Sequence, residues 1–253
     1  MKRTFRIDCF PESALRCGQG FAVVAIDVIR ATTMAVTAAS LGWKCYPVDS
    51  LETALRAARQ FRNPLLAGEI NGQRPTGFHM NNSPAELAEM RDSSRPLILL
   101  SSSGTKLIVN ALTCDVLYLA CFRNAACTAD SLIQEGYSKI ALLGAGSRGE
   151  FREEDQIGCA WIAALLERAG YVPENAASAG IVNRWGNATA RDCLESKSVE
   201  YLRRTDQMKD LRFIMDRIND LEEPFTVDAQ SFVTPVRSGI PSGRDPRACC
   251  ALR

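Results

Sequence analysis

Asp27, at the end of an apolar segment, is the first candidate for chemistry in this chain. Asp27 interrupts the apolar run FAVVAIDV, and Arg30 and Thr32 follow within five residues. A buried carboxylate without a partner is costly, so Asp27 must be paired, hydrogen-bonded or bound to a metal. If a helix begins at Thr32, its free N–H groups suit a phosphate. The alternative is an Asp27–Arg30 ion pair with Thr32 capping the helix.

The segment LLGAGSRGEFREED (142–155) contains both a glycine pattern and a run of acids. Its glycines are spaced G-x-G-x-x-G after an apolar strand, as in dinucleotide-binding turns. Glu154 and Asp155 then stand where an apolar helix should begin, and they would repel a pyrophosphate. We therefore interpret these acids as candidate ligands of a hard divalent cation such as Mg²⁺. A solvated acidic helix start and a nicotinamide site are the alternatives.

The segment SSSGTK (101–106) has the composition of an anion-binding turn. It combines three hydroxyls, a glycine that admits close backbone approach, and Thr105 at a helix start. A serine-rich turn with a helix cap is the alternative interpretation. The spacing of a phosphate-binding loop of the G-x-x-x-x-G-K type is missing.

The stretch AGEINGQRPTGFHMNNSP (67–84) is long for a connection inside a compact domain, which favours a functional loop. Glu69 follows a strand and a glycine, so it is either a metal ligand or a surface acid. His79 is the only histidine of the chain, and we expect it to be structural.

Short apolar runs alternate with amphipathic segments, which predicts a three-layer α/β/α fold with a mostly parallel or mixed sheet. Helices are expected from Thr32, over 51–61 with Ser50 as N-cap, and over 155–171 with Gly170 at the end. We predict one domain over 1–238, or two similar lobes divided near 125–140, and a loose tail over 239–253. Three strands end in small residues that open a helix, so their turns should converge on one site.

The composition excludes several classes of function. A formal net charge of +1 offers no electrostatic case for nucleic acid or an anionic membrane. No apolar run of membrane-spanning length and no signal peptide are evident, so we expect a cytoplasmic protein. The ten cysteines are scattered without a C-x-x-C pair, and we expect them to be reduced and mostly buried rather than bound to zinc.

Taken together, five segments resemble the 2-phosphosulfolactate phosphatase family, Mg²⁺-dependent enzymes of coenzyme M biosynthesis. The resemblance covers roughly residues 5 to 238. The segments occur in the family's order, and they are IDVIRATT, AGEINGQRPTGFHMNNSP, LLSSSGT, ACFRNAA and GAGSRGEFREED.

The resemblance implies roles for residues that match the family's motifs. The implied catalytic residues are Asp27 and Arg30. The implied metal ligands are drawn from Asp27, Glu69, Glu154 and Asp155. The implied binding residues for phosphate or substrate are Thr32, Thr33, Asn82, Ser83, Ser102, Ser103, Gly104, Thr105 and Asn124. Ser103 and Glu153 depart from residues common in the family, which leaves the substrate preference open.

The resemblance also implies a reaction, hydrolysis of 2-phosphosulfolactate to 3-sulfolactate and phosphate with Mg²⁺. Arg74 or Arg123 would join Arg30 in pairing with anionic oxygens. A water nucleophile is favoured over a phospho-aspartyl route through Asp27, because Ile29 replaces the second acid of a D-x-D pattern. The rival hypotheses are an NAD(P) oxidoreductase and a non-catalytic anion-binding protein. We expect a small phosphorylated acid as partner, and a homodimer is compatible with the sequence.

Overall fold

Ten strands form one mixed sheet in the computed structural model, which describes residues 2–228 and 231–236. The strands are β1 (Thr4–Cys9), β2 (Ala22–Ile26), β3 (Cys45–Val48), β4 (Leu65–Gly68), β5 (Leu97–Leu100), β6 (Val116–Ala120), β7 (Lys139–Gly144), β8 (Val172–Pro173), β9 (Phe225–Val227) and β10 (Val233–Pro235). They lie in the order β4-β5-β3-β10-β9-β6-β2-β7-β1-β8. The predicted tail lies outside the described residues.

Helices connect most of these strands, as the alternating sequence pattern predicts. They are α1 (Ala31–Ser40), α2 (Leu51–Ala58), α3 (Pro84–Ala88), α4 (Gly104–Asn110), α5 (Ala125–Glu135), α6 (Glu153–Arg168), α7 (Ala176–Trp185), α8 (Lys197–Arg204) and α9 (Met208–Met215). The Ser50 hydroxyl accepts the Thr53 N–H, which confirms the predicted N-cap of α2. Gly170 has a left-handed φ of 89° just after α6. Among the described residues, no helix has the length and apolar character that crossing a membrane requires.

Both faces of the sheet are covered, which confirms the three-layer α/β/α prediction. In β2, Val23 and Ala25 belong to the core that contains α1 and α4. Their neighbours Val24 and Ile26 belong to the opposite core, with α5 and α6. Since successive side chains of a strand point to opposite faces, this alternation places a helical layer on each side.

The sheet consists of two parallel groups that run in opposite directions. One group is β4, β5 and β3, and the other is β6, β2, β7, β1 and β8. Strands β10 and β9 join the groups through three successive antiparallel pairings. Of the two predicted kinds of sheet, mostly parallel or mixed, the structure therefore has the mixed one.

The sheet curves strongly between its two groups and encloses α1. Strands β5 and β2 are five steps apart, which is roughly 24 Å in a flat sheet. Nevertheless, a Cβ added to Gly104, just after β5, would lie 2.1 Å from the Oδ2 of Asp27, just after β2. Residues 31–39 of α1 are all buried, and the helix packs on β3, β5, β6 and β10. The curvature brings the ends of the two groups together.

Gly104→Ala should destabilise the protein by about 1–3 kcal/mol, because the added methyl collides with Asp27 and with the Cβ of Ala31 at 2.5 Å. Gly180→Ala is the matched control, since a Cβ at this position in α7 meets nothing within 4 Å. It should be neutral or stabilising by up to about 1 kcal/mol. Urea unfolding of both variants measures the difference, and equal stabilities would contradict this packing.

Candidate active site

A cavity of about 570 Å³ opens where the strand ends converge. Its walls come from the turns after β2 and β5, the loop after β4, the loop between β7 and α6, and helix α8. The predicted convergence of three turns therefore occurs, although the turns belong to parallel groups of opposite direction.

Asp27 lies on the cavity wall and is 6% exposed. Its Oδ1 accepts the Ala31 N–H at 3.1 Å, and no described residue donates a hydrogen bond to Oδ2. Burial raises the pKa of Asp27 to about 7, against the lowering effect of the Ala31 N–H. The charges of Glu69 and Glu154 raise this pKa further, and Arg30 lowers it.

Asp155 also lines the cavity and connects two of its turns. Its Oδ1 accepts the Val28 N–H at 2.9 Å, and its Oδ2 accepts the Gly146 N–H at 3.2 Å. Burial raises the pKa of Asp155, and the charges of Asp27 and Glu154 add to the rise. Asp155 therefore holds the β2 turn and the glycine-containing turn in register.

Glu154 is buried beside these two acids, outside the lining of the cavity. Neither carboxylate oxygen has a hydrogen-bond partner among the described residues. Burial raises its pKa, and the nearby Ser198 and Ser196 hydroxyls oppose the rise without a hydrogen bond of ordinary geometry. A buried carboxylate without hydrogen-bond partners is costly to leave charged, so Glu154 must bind either a proton or a cation.

Glu69 reaches the same cavity and organises the loop after β4. Its Oε1 accepts the Ser102 N–H at 2.7 Å, and its Oε2 accepts the Gly72 N–H at 2.6 Å and the Ser102 hydroxyl at 2.9 Å. Both oxygens thus serve to join the β4 and β5 ends of the sheet.

Arg30 lies on the cavity wall but pairs with Asp210 rather than with Asp27. Asp210 is 2% exposed, and its other oxygen accepts the Ser83 hydroxyl at 2.7 Å and the Ala85 N–H at 3.0 Å. The Asp27–Arg30 ion pair suggested as an alternative is therefore absent among the described residues. Asp210 could not be identified from the sequence, because it lies 180 residues away from Arg30 on a helix without a recognisable motif.

The predicted binding residues divide into two sets. Those on the cavity wall are Asn82, Ser102 and Ser103. The Oδ1 of Asn82 is buried and has no partner among the described residues, and the Ser103 side chain makes no capping hydrogen bond. Gly104 lies directly behind this wall, against Asp27.

The other predicted binding residues support the turns through backbone contacts. Thr32 donates to the Asp27 and Ala120 carbonyls, and Thr33 donates to the Val28 carbonyl. In the same way Thr105 bonds to the Ser101 backbone, Asn124 bonds to the Cys121 and Leu119 backbone, and Ser83 caps α3.

Three further residues considered from sequence have partners of their own. Arg123 forms a bidentate pair with Asp220, at 2.9 and 2.6 Å. Arg74 donates to the carbonyl of His79, whose Nδ1 accepts the Leu66 N–H. None of Arg74, His79 and Arg123 is on the cavity wall.

The donor atoms near Asp27 fit a magnesium ion better than a metal held by protein alone. Asp27 Oδ2 and the Glu154 oxygens are hard donors without hydrogen bonds. No group of three or more His, Cys, Asp or Glu residues with the geometry of a metal site is found in the described part of the chain. Mg²⁺ commonly takes one or two carboxylates and completes its shell with water and substrate phosphate.

The first two glycines of the pattern at residues 144–149 have a packing explanation. The Gly146 N–H is used by Asp155, and a Cβ on Gly146 would lie 2.8 Å from the Glu150 carbonyl oxygen. A Cβ on Gly144 would lie 3.1 Å from the Cβ of Asp155. Gly144 therefore admits Asp155, Gly146 admits the Glu150 carbonyl, and the Gly146 amide that a pyrophosphate would need is already bonded.

Comparison with known proteins gives one consistent family. The family model described as 2-phosphosulpholactate phosphatase matches residues 11–222. A probable 2-phosphosulfolactate phosphatase of Carboxydothermus hydrogenoformans is 34% identical over 158 residues, covering 62% of this chain and 65% of the relative. One of Thermotoga maritima is 33% identical, covering 57% and 62%, and one of Synechocystis sp. is 27% identical, covering 75% and 82%. The aligned part is thus just under two thirds of the first two relatives.

Asp27→Asn should stabilise the metal-free protein at pH 8 and have little effect at pH 4. Because the pKa of Asp27 is raised to about 7, its contribution to stability is present below pH 4 and lost as the pH rises through 7. Removing the ionisable group at pH 8 should raise the free energy of unfolding by on the order of 2 kcal/mol. Urea unfolding in EDTA at both pH values measures this, with exposed Asp130→Asn as control. An advantage that shrinks as the pH rises would contradict the buried-acid geometry.

Asp210→Ala should cost about 3–5 kcal/mol, because it leaves the Arg30 guanidinium buried without its counter-ion. The adjacent Lys209→Ala removes only an exposed pair with Glu89 and should cost at most about 1 kcal/mol. Thermal and urea unfolding compare the two variants. Similar losses in the free energy of unfolding would contradict a stabilising role for the buried Arg30–Asp210 pair.

Proposed function

The chain belongs to the 2-phosphosulpholactate phosphatase family, and from this we propose that it hydrolyses a phosphate monoester of a small anionic acid. The proposed substrate is 2-phosphosulfolactate, which places the reaction in the formation of coenzyme M. The observation that carries the proposal is the meeting of Asp27, Asp155 and Arg30 with a serine turn in one cavity of about 570 Å³. Phosphoryl transfer depends mainly on charge neutralisation and alignment. Here Arg30 and the serine turn offer hydrogen-bond donors to a phosphate, and the carboxylates offer ligands to a cation.

Arg30 and the turn after β5 are the proposed holders of the phosphoryl group. One guanidinium nitrogen of Arg30 binds Asp210, and a guanidinium carries further N–H donors for oxyanions. The Ser103 hydroxyl lies on the same wall without a capping role. Asp210 acts as a positioning residue, since it fixes the direction of Arg30 from outside the cavity.

A magnesium ion is the proposed cofactor, held by carboxylates from the set Asp27, Glu69, Glu154 and Asp155. Asp27 and Glu154 are the strongest candidates, because they have carboxylate oxygens without hydrogen bonds to described residues. When bound, Mg²⁺ neutralises phosphoryl charge and acidifies water. Glu69 and Asp155 already accept backbone N–H groups, so their main role is to fix the loops around the cation.

Water is the proposed nucleophile, rather than Asp27. Ile29 stands two residues after Asp27, where phospho-aspartyl phosphatases of the D-x-D pattern have a second acid. Asp27 is also restrained on one side by the Ala31 N–H and on the other by Gly104. Rapid-quench mass spectrometry of the enzyme during turnover should detect no phosphorylated protein.

Phosphate release from 2-phosphosulfolactate should require both Mg²⁺ and Asp27. We expect EDTA to abolish turnover and Asp27→Asn to lower kcat at least about 100-fold, because the charge opposing the cation is lost. Mg²⁺ should raise the unfolding temperature of the wild type and leave that of Asp27→Asn unchanged.

Asp130→Asn is the control, because this carboxylate is exposed on α5 and remote from the cavity. It should keep full activity and the full response to Mg²⁺. Turnover that survives both EDTA and Asp27→Asn would overturn the metal–carboxylate mechanism. Binding of sulfolactate without any turnover would favour a non-catalytic anion-binding protein.

A further inference from the structure

Five basic side chains lie on the cavity wall, and three of them are already paired within the protein. Arg30 pairs with Asp210. Lys197 and Arg152 both contact Glu150, at 2.7 and 3.4 Å. Each of these three cations therefore has a carboxylate partner before any ligand enters, with Glu150 shared between Lys197 and Arg152.

The remaining two, Arg148 and Arg204, are exposed and make no ion pair or side-chain hydrogen bond with a described residue. Arg148 belongs to the loop between β7 and α6, and Arg204 ends α8. Glu200 also lies on the wall, one helical turn before Arg204, yet the two side chains form no ion pair within 4.0 Å. The cavity wall thus has two guanidinium groups without an anionic partner among the described residues.

The backbone at Arg148 is unusual for an arginine. Arg148 and Gly149 have φ values of 53° and 75°, and Ser147 and Glu150 exchange backbone hydrogen bonds of 2.8 and 3.0 Å around them. A two-residue turn with both φ values positive favours asparagine or glycine at the first position. The chain therefore places an arginine where local stability favours a different residue.

The turn that carries Arg148 is also bonded to helix α8, which lines the same cavity. Lys197, at the start of α8, donates hydrogen bonds from its Nζ to both carboxylate oxygens of Glu150, at the end of the turn. Arg204 is at the other end of the same helix. This connection fixes the loop and the helix that present the two free guanidinium groups.

From these observations we propose that Arg148 and Arg204 bind a second anionic group of the substrate, a carboxylate or a sulfonate. This subsite makes the cavity specific for phosphate esters of small acids that carry more than one negative charge. The assignment rests on the proposed function, in which Arg30 and the serine turn take the phosphoryl group. Guanidinium groups suit both anions, because their planar N–H donors match paired oxygens.

Kinetics of Arg148→Asn with two esters test the subsite. For 2-phosphosulfolactate, KM should rise about 10-fold or more with kcat nearly unchanged, since a charge-assisted contact to a non-reacting group is lost. For phenyl phosphate, which has no second anion, KM should not change. The unfolding temperature should stay equal or rise, because asparagine suits the turn. Arg204→Gln should show the same split between the two esters.

Arg203→Gln is the matched control, because this exposed arginine on α8 is not part of the cavity wall. It should leave both KM values unchanged. If Arg148→Asn and Arg204→Gln keep KM for 2-phosphosulfolactate within about twofold of the wild type, the subsite is overturned while the phosphatase function stands.

Calorimetric titration with 3-sulfolactate separates this inference from the function. If the wild type hydrolyses neither ester, the proposed function fails. Loss of sulfolactate binding in both arginine variants, with binding retained in Arg203→Gln, would then still support the second anion subsite. Equal sulfolactate binding in all four proteins would overturn it.

Discussion

The burial of Asp27 at the point where the two halves of the sheet meet is the constraint on which the site depends. Its carboxylate is held by the first turn of α1 and stands directly against Gly104, so the β2 and β5 ends cannot separate without exposing it. Burial and the neighbouring charges of Glu69 and Glu154 raise its pKa to about 7. Folding therefore buries a carboxylic acid whose ionisation is costly unless a cation lies beside it.

The polar groups around Asp27 form two kinds of contact. The carboxylate oxygens of Asp155 and Glu69 accept hydrogen bonds from backbone N–H groups, which fixes the loops. Arg30 is fixed in turn by Asp210, which also binds the start of α3. Among the described residues, the wall groups without a hydrogen-bond partner include Asp27 Oδ2, Asn82 Oδ1, the Ser103 side chain, Arg148 and Arg204. This division separates the rigid frame from the groups offered to a ligand, which is how a preorganised site lowers the cost of binding.

Much of the fold and part of the site could be predicted from local patterns. The alternation of apolar runs and amphipathic segments indicated three layers, and Ser50 indicated its helix cap, because both depend on residues close in sequence. The convergence of the turns at Asp27, Ser102 and Asp155 was also expected, from a mostly parallel or mixed sheet. In the structure the turns meet because the sheet is curved and its two parallel groups are joined by three antiparallel pairings, made by β9 and β10 from the far end of the chain.

By itself, the sequence determined which residue types lie at the strand ends and which family the chain resembles. Only the tertiary structure decided which of those side chains face the cavity. Four predicted binding residues bond to the backbone instead, namely Thr32, Thr33, Thr105 and Asn124. Asp210 pairs with Arg30, and Arg148 and Arg204 lie on the cavity wall. The reason is physical: a side chain's orientation and its distant partner depend on packing between elements far apart in sequence, and no local spacing encodes that.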